Sequence, residues 1–219
     1  ISVSSSNLVA NISKNRIHAM FDSEPTTTNT FYGISLSNSD ADLGYENVIS
    51  NNLIYDIKGA GIIYAFYNMG SNAALYYYNT VSLDDQSSIA QVDAYGYYST
   101  GYTAGVQIKN NIFSISRSGN GLKYGVYLAD DRVTLITIDN NNYFTNGNNT
   151  ISTGYFKGIT SSSLAEWKSA TGFDANSVAI DPSFTDMAAG DFTPRSVAMG
   201  DKALAISIAD DFNNTARSS

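Results

Sequence analysis

The sequence predicts an all-β chain, a right-handed parallel β-helix of about five turns with one short capping α-helix near the C-terminal end. Three observations predict it. Tyr, Thr, Val and Ile are abundant, with 16 Tyr in 219 residues, and these residue types suit strands. The 23 Asn and 17 Gly supply tight turns. Two short anchors recur with one period, and a fixed period decides the architecture before any single element is assigned.

The first anchor is a tyrosine followed by a small and then a large residue. It reads Tyr32-Gly33-Ile34, Tyr64-Ala65-Phe66, Tyr95-Gly96-Tyr97 and Tyr124-Gly125-Val126, with a degenerate Tyr155-Phe156-Lys157, at spacings of 32, 31, 29 and 31 residues. The second anchor is an Asn at 15, 52, 79, 111 and 142, each two residues before an apolar one. A period near 30 is too short for propeller blades of about 40–45 residues. The best-written period holds strands at 104–108, 112–115 and 124–128, and its links are too short for a helix. Three short strands per turn then make a coil whose equivalent strands stack about 4.8 Å apart. Asn52, Asn79, Asn111 and Asn142 are expected in one column at one bend. There Asn tolerates the left-handed backbone of a sharp corner, and stacked amides hydrogen-bond from turn to turn.

Residues 1–159 are read as repeated turns and 160–219 as a short helix with edge and capping strands, all one domain. Ser163-Leu164-Ala165-Glu166 has the form of a capping box, and Gly172 supplies the stop. The helix between them carries Leu164 and the only Trp, Trp167, on an apolar face that can cover the open end of the coil. Residues 210–219, "DDFNNTARSS", read as the start of a further turn. The opening "ISVSSSNLVANI" reads as mid-fold sequence, so further turns of the same chain are expected before Ile1.

Strand alternation assigns faces. Ile34, Phe66, Val126, Leu36 and Leu128 are expected inward, and with them Tyr32, Tyr64, Tyr95 and Tyr124. The outer face would then carry a trough of Gly33, Ala65, Gly96 and Gly125 beside a row of Tyr67, Tyr98 and Tyr127.

Composition excludes several classes. There is no Cys, so no disulfide or thiolate metal site. A net charge of -8 with 12 Lys+Arg argues against a nucleic-acid partner, which needs clustered cations. No apolar run approaches the about 20 residues of a membrane span.

"NNIFSISRSGNGLKYGVYL", "IDNNNYF" and the closing "SSLAEWKSATGFDANSVAIDPSFTD" with "GDFTPRSVAMGDKAL" resemble the right-handed β-helix repeats of the pectate-lyase-like superfamily. The closing stretch is similar to the end of large secreted and cell-surface proteins of Bacteroidetes-type bacteria, many exported by type IX secretion. The resemblance implies a secreted or cell-surface location and a polysaccharide or cell-surface glycan as partner. Two functions follow. One is a non-catalytic module that binds polysaccharide, through Tyr67, Tyr98 and Tyr127, or acts as an adhesin-like rigid spacer. The alternative is a polysaccharide lyase or glycoside hydrolase.

A lyase would need a cation to neutralise a carboxylate and a base near the sugar carbon. Lys123, Arg132 and Tyr127, with Lys157, are the candidates, although cations here are few and dispersed. The Gly-His-Gly and Arg-Ile-Lys steps of polygalacturonases are absent, and the lone His18 follows Asn15-Arg16-Ile17 where a Lys would stand. No cofactor is expected other than calcium. The acidic pairs Asp40 with Asp42, Asp84-Asp85, Asp130-Asp131 and Asp210-Asp211 are turn residues on the plain reading and oxygen ligands on the other, with Asp130 and Asp131 the calcium candidates. Asn-x-Ser/Thr at Asn11, Asn148 and Asn213 follows from composition alone.

Overall fold

The computed structural model describes residues 1–5, 9–87, 91–147 and 150–217; Asn148 lies outside them. The chain winds through five turns of three short strands. Turn one holds β1 (Ser2–Val3), β2 (Asn11–Ser13) and β3 (Arg16–Ile17). Turn two holds β4 (Phe31–Ser37), β5 (Asn47–Ser50) and β6 (Leu53–Ile54), and turn three β7 (Ile63–Met69), β8 (Ala74–Tyr77) and β9 (Thr80–Leu83). Turn four holds β10 (Ala94–Thr100), β11 (Gln107–Lys109) and β12 (Ile112–Ile115), and turn five β13 (Lys123–Leu128), β14 (Thr137–Asp139) and β15 (Asn142–Thr145). β16 (Ile151–Phe156) adds a sixth parallel strand to the first sheet, and β17 (Ile159–Ser161) folds back antiparallel on it. The three sheets run β1-β4-β7-β10-β13-β16-β17, β2-β5-β8-β11-β14 and β3-β6-β9-β12-β15. The predicted parallel coil of about five turns is therefore the observed fold.

Its core is a stack of inward side chains, one layer per turn: Ile34, Phe66, Tyr97 and Val126 from the first sheet, Ile49, Tyr76 and Ile108 from the second, and Ile54, Val81, Phe113 and Tyr143 from the third. Apolar area removed from water stabilises at about 25 cal/mol per Å², and each layer also covers its neighbours.

The corner between second and third sheets holds an asparagine ladder, with one correction. Nδ2 of Asn15 donates to Oδ1 of Asn52 at 2.9 Å, Asn52 to Asn79 at 3.0 Å, Asn79 to Asn111 at 2.9 Å and Asn111 to Asn141 at 3.0 Å. The fifth rung is Asn141, not Asn142. Asn142 pairs in register with Ile112 inside β15, and its amide donates to the Ile180 carbonyl. The left-handed backbone also belongs elsewhere, to the residue before each rung: Lys14, Asn51, Tyr78, Asn110 and Asn140, with φ between 54° and 59°. The ladder asparagines are there for their amides, which satisfy buried backbone groups such as the Ile49 and Tyr76 carbonyls.

The ladder ends at a carboxylate. Asn141 donates to Asp174, which also accepts from Trp167 Nε1 at 2.7 Å, Tyr143 OH at 3.1 Å and Ser177 Oγ. Trp167 belongs to α1 (Leu164–Thr171). Ser163 Oγ accepts from the Glu166 N–H as expected, whereas the Glu166 carboxylate accepts from Ser162, one residue earlier than a capping box requires. Gly172 ends the helix in the left-handed region. The indole is fully buried, and it sits where a Cβ on Gly154 would come within 2.5 Å of it. Gly154 occupies the register position of Val126, so β16, above turn five, omits a core side chain and the helix fills the gap.

After α1, residues 174–180 lay one partial layer on turn five, with Val178 bridging parallel to Asn142 and the Asp174 N–H donating to Ile138 O, and the chain then leaves the coil. The hairpin β18 (Phe184–Asp186) and β19 (Asp191–Pro194) folds against the third sheet, where Phe192 packs on Tyr55 and Arg16 donates to the Gly190 carbonyl. The chain then descends along the left-handed corner column. Lys202 O accepts from Asn140, Leu204 O from Asn110 and Tyr78, and Asp210 O from Asn51, while Lys14 Nζ pairs with Asp210 at 2.6 Å. Asp210 to Arg217 are thus the foot of a strap beside turn one; the last two residues of "DDFNNTARSS" lie outside the described residues. The strap begins no further turn.

Candidate functional site

The outer face of the first sheet is built from tyrosines in two columns. Tyr32, Tyr64, Tyr95 and Tyr124 stack with centroids 5.1–5.9 Å apart and planes within 16° of parallel. Tyr67, Tyr98, Tyr127 and Tyr155 stack at 5.6, 5.2 and 4.2 Å, within 8°. The two columns meet edge to face at about 5 Å throughout turns two to five, for example Tyr64 with Tyr98 at 4.9 Å.

Placing both columns outside requires a break in alternation. Strand pairing in the first sheet skips the residue after the first tyrosine: Tyr95 pairs with Tyr64 and Tyr97 with Phe66, with no pair between them. At that kink the small residue turns inward. A Cβ on Gly96 would strike the Phe113 ring at 2.6 Å, and one on Gly125 the Tyr143 ring at 2.8 Å. The expected inward tyrosines are therefore outward, and the expected outer trough of Gly33, Ala65, Gly96 and Gly125 faces the core. Small residues are needed there because the backbone runs close over the facing core rings. Inward Ile34, Leu36, Phe66, Val126 and Leu128 are each fully buried. Tyr155 pairs with Tyr127, not with Tyr124, so it belongs to the second column. Only a register shift visible in three dimensions reveals that.

The face is neutral and rich in hydroxyls. Burial pushes the Tyr64 phenol up to about 12 and raises those of Tyr67, Tyr98 and Tyr127, so none of these ionises near neutrality. Tyr95 is 7% exposed because its neighbours cover it, and its hydroxyl donates to Asp93 at 2.9 Å. At the column's lower end Tyr32 stays 47% exposed. Within the ladder each ring covers its neighbour's face, leaving edges and hydroxyls to meet a ligand.

The other candidates do not converge on this face. Lys123 is 1% exposed, and its Nζ donates to Gly119 O and Thr150 Oγ1. It starts β13, whereas Arg132 lies past that strand's far end, so at about 3.3 Å per residue the two stand at opposite ends of the strand. Arg132 is spent on Asp130, donating from Nε at 2.9 Å and Nη2 at 2.6 Å, and this fork holds the Asp130 carboxyl at about 2. Asp130, Asp131, Arg132 and Lys157 do share one shallow depression. No group of three or more His, Cys, Asp or Glu that could hold a metal occurs among the described residues.

His18 stacks flat on Tyr55 at 4.7 Å. The remaining acidic pairs mostly serve turns and ion pairs: Asp40 accepts from the Asn72 N–H, Asp85 faces Arg117 at 3.4 Å, and Asp211 accepts from the Asn213 and Thr215 N–H groups. No helix among the described residues is long and apolar enough to cross a membrane. No protein-family model, no curated protein and no solved structure matches the chain.

Proposed function

We propose that this β-solenoid is a non-catalytic module of a secreted or cell-surface protein, and that its tyrosine face holds a polysaccharide laid along the coil axis. The observation that carries this reading is the registered double column, two stacks of four tyrosines each, in which burial raises the phenols of Tyr64, Tyr67, Tyr98 and Tyr127. A sugar chain running along it meets a phenol edge and a hydroxyl at every turn, about 4.8 Å apart, on a surface whose shape the sheet fixes beforehand. Preorganised aromatic residues bind with little loss of conformational freedom. The separation of Lys123 from Arg132 supports binding over lyase chemistry.

Affinity electrophoresis through gels containing neutral and uronate polymers tests the reading. The wild type is expected to be retarded by at least one neutral polymer. Joint replacement of Tyr67, Tyr98 and Tyr127 by Phe should reduce the retardation and replacement by Ser abolish it, with the coil still folded by circular dichroism. Unchanged retardation in the Ser variant would refute the site, and release of unsaturated sugar from a uronate polymer would refute the non-catalytic reading.

A further inference from the structure

On the flank away from the tyrosine face, the strap and the third sheet enclose a cleft of about 480 Å³. That volume lies within the range of small-molecule sites. In a chain with few cations, two arginines line it without an ion pair. Among the described residues Arg117 and Arg132 each pair with an aspartate, whereas Arg16 and Arg217 have no carboxylate within ion-pair distance.

Both guanidinium planes are braced by an aromatic ring. Arg16 lies over Phe212 at 5.1 Å and donates from Nη1 to Gly190 O at 2.8 Å. Arg217 lies over Tyr78 at 3.6 Å and donates from Nη2 to Asn51 Oδ1 at 2.7 Å and from Nε to Asp210 O at 3.2 Å. Each fork keeps N–H donors in hand, which suits bidentate capture of a carboxylate. The cleft also contains Asp191 and Asp211, whose carboxylates accept backbone N–H groups of their own turns through Oδ1. Their Oδ2 atoms are suited to accept from hydroxyl groups. Ile112 supplies an apolar patch of wall.

We infer that this cleft is a binding site for a small hydroxylated carboxylate of sugar-acid size, its carboxylate taken by Arg16 and Arg217 and its hydroxyls by Asp191 and Asp211. Arg16 and Arg217, far apart in the sequence, meet here because the strap returns from turn five to turn one.

Calorimetric titration of the whole chain with glucuronate, galacturonate, glucose and acetate tests the site. Saturable binding of a sugar acid is expected, stronger than that of glucose or acetate. Arg16→Gln should weaken it about tenfold or more, the loss of one charge-assisted pair, and Arg16→Lys should restore only part. Arg217→Gln should act likewise. If that variant loosens the strap, the exposed Arg16 decides alone. Absence of saturable binding, equal binding of glucose, or indifference to Arg16→Gln would overturn the inference. Retardation on neutral-polymer gels should be unchanged in Arg16→Gln, so failure here is separable from failure of the tyrosine face.

Discussion

At the residue scale, most of the specificity lies in buried polar groups that water cannot reach. Asn111 accepts from the Asn79 N–H and side-chain amide, and donates to Tyr76 O and Asn141 Oδ1. Asn111→Ala would leave those partners unsatisfied at a buried corner. Each orphaned group costs about 1–3 kcal/mol, so a loss of about 2–4 kcal/mol is expected in urea unfolding, while Asn142→Ala, off the ladder, should cost less. Asp174 offers a pH test. Burial raises its carboxyl above the ordinary value, and four hydrogen bonds pull the other way. A raised folded value means that its contribution is fully present below the unfolded carboxylate range and lost as pH rises through the folded value. The stability of the wild type relative to Asp174→Asn should therefore be greatest in acid and decline towards neutrality, as read from paired melts. A flat difference would show that the four donors offset burial fully. Gly154→Val should drive a side chain into the indole of Trp167; overpacking of this kind costs about 1–3 kcal/mol and should shift Trp167 fluorescence.

At the element scale, the tyrosine columns show how repetition turns weak pairs into a surface. Aromatic neighbours contribute about 0.5–1.5 kcal/mol beyond burial, and here Tyr64, Tyr95, Tyr98 and Tyr127 each have stacked rings above and below and an edge-to-face ring beside them. The columns also set a ceiling in alkali. Tyr64 is raised from 10.0 to about 12, so its stabilising effect holds below the unfolded value and is lost between about pH 10 and 12. Tyr64→Phe should flatten unfolding in that window, and an unaltered alkaline profile would refute the assignment. The period, the three strands per turn, the inward Ile34, Phe66 and Val126 and the capping helix were all legible in the sequence, because burial writes them as repeated residue types. Three features were not. A backbone kink at Gly33, Ala65, Gly96 and Gly125 reverses the alternation on which the face assignment rested. The doubled Asn pairs at 51–52, 110–111 and 141–142 leave a one-residue ambiguity that only hydrogen bonding resolves. The convergence of Arg16 with Arg217 spans nearly the whole chain and has no local signal.

At the scale of the whole molecule, a coil whose turns touch only their neighbours should fray from its ends, since solenoid stability is a sum of turn and interface terms. The strap changes that connectivity. It leaves the capped end after α1 and bonds in succession to Asn140, Asn110, Tyr78, Asn51 and Lys14, one corner residue from each turn. Turn five is thereby tied to turn one, and opening either end must also break contacts at the other. Such long-range ties raise cooperativity more than they raise local stability. In the full chain, Trp167 fluorescence reports the capped end and far-ultraviolet circular dichroism reports the strands, and the two should unfold together in urea. A chain ending at Gly200 retains α1, Trp167 and the β18–β19 hairpin but loses the contacts of Lys202, Leu204, Asp210 and Arg217. There the two transitions should separate, with a lower midpoint and a broadened curve, and amides of the corner residues in turns one and two should exchange faster. Coincident transitions in the truncated chain would mean that the stacked core alone makes the coil cooperative and that the strap serves chiefly to wall the cleft.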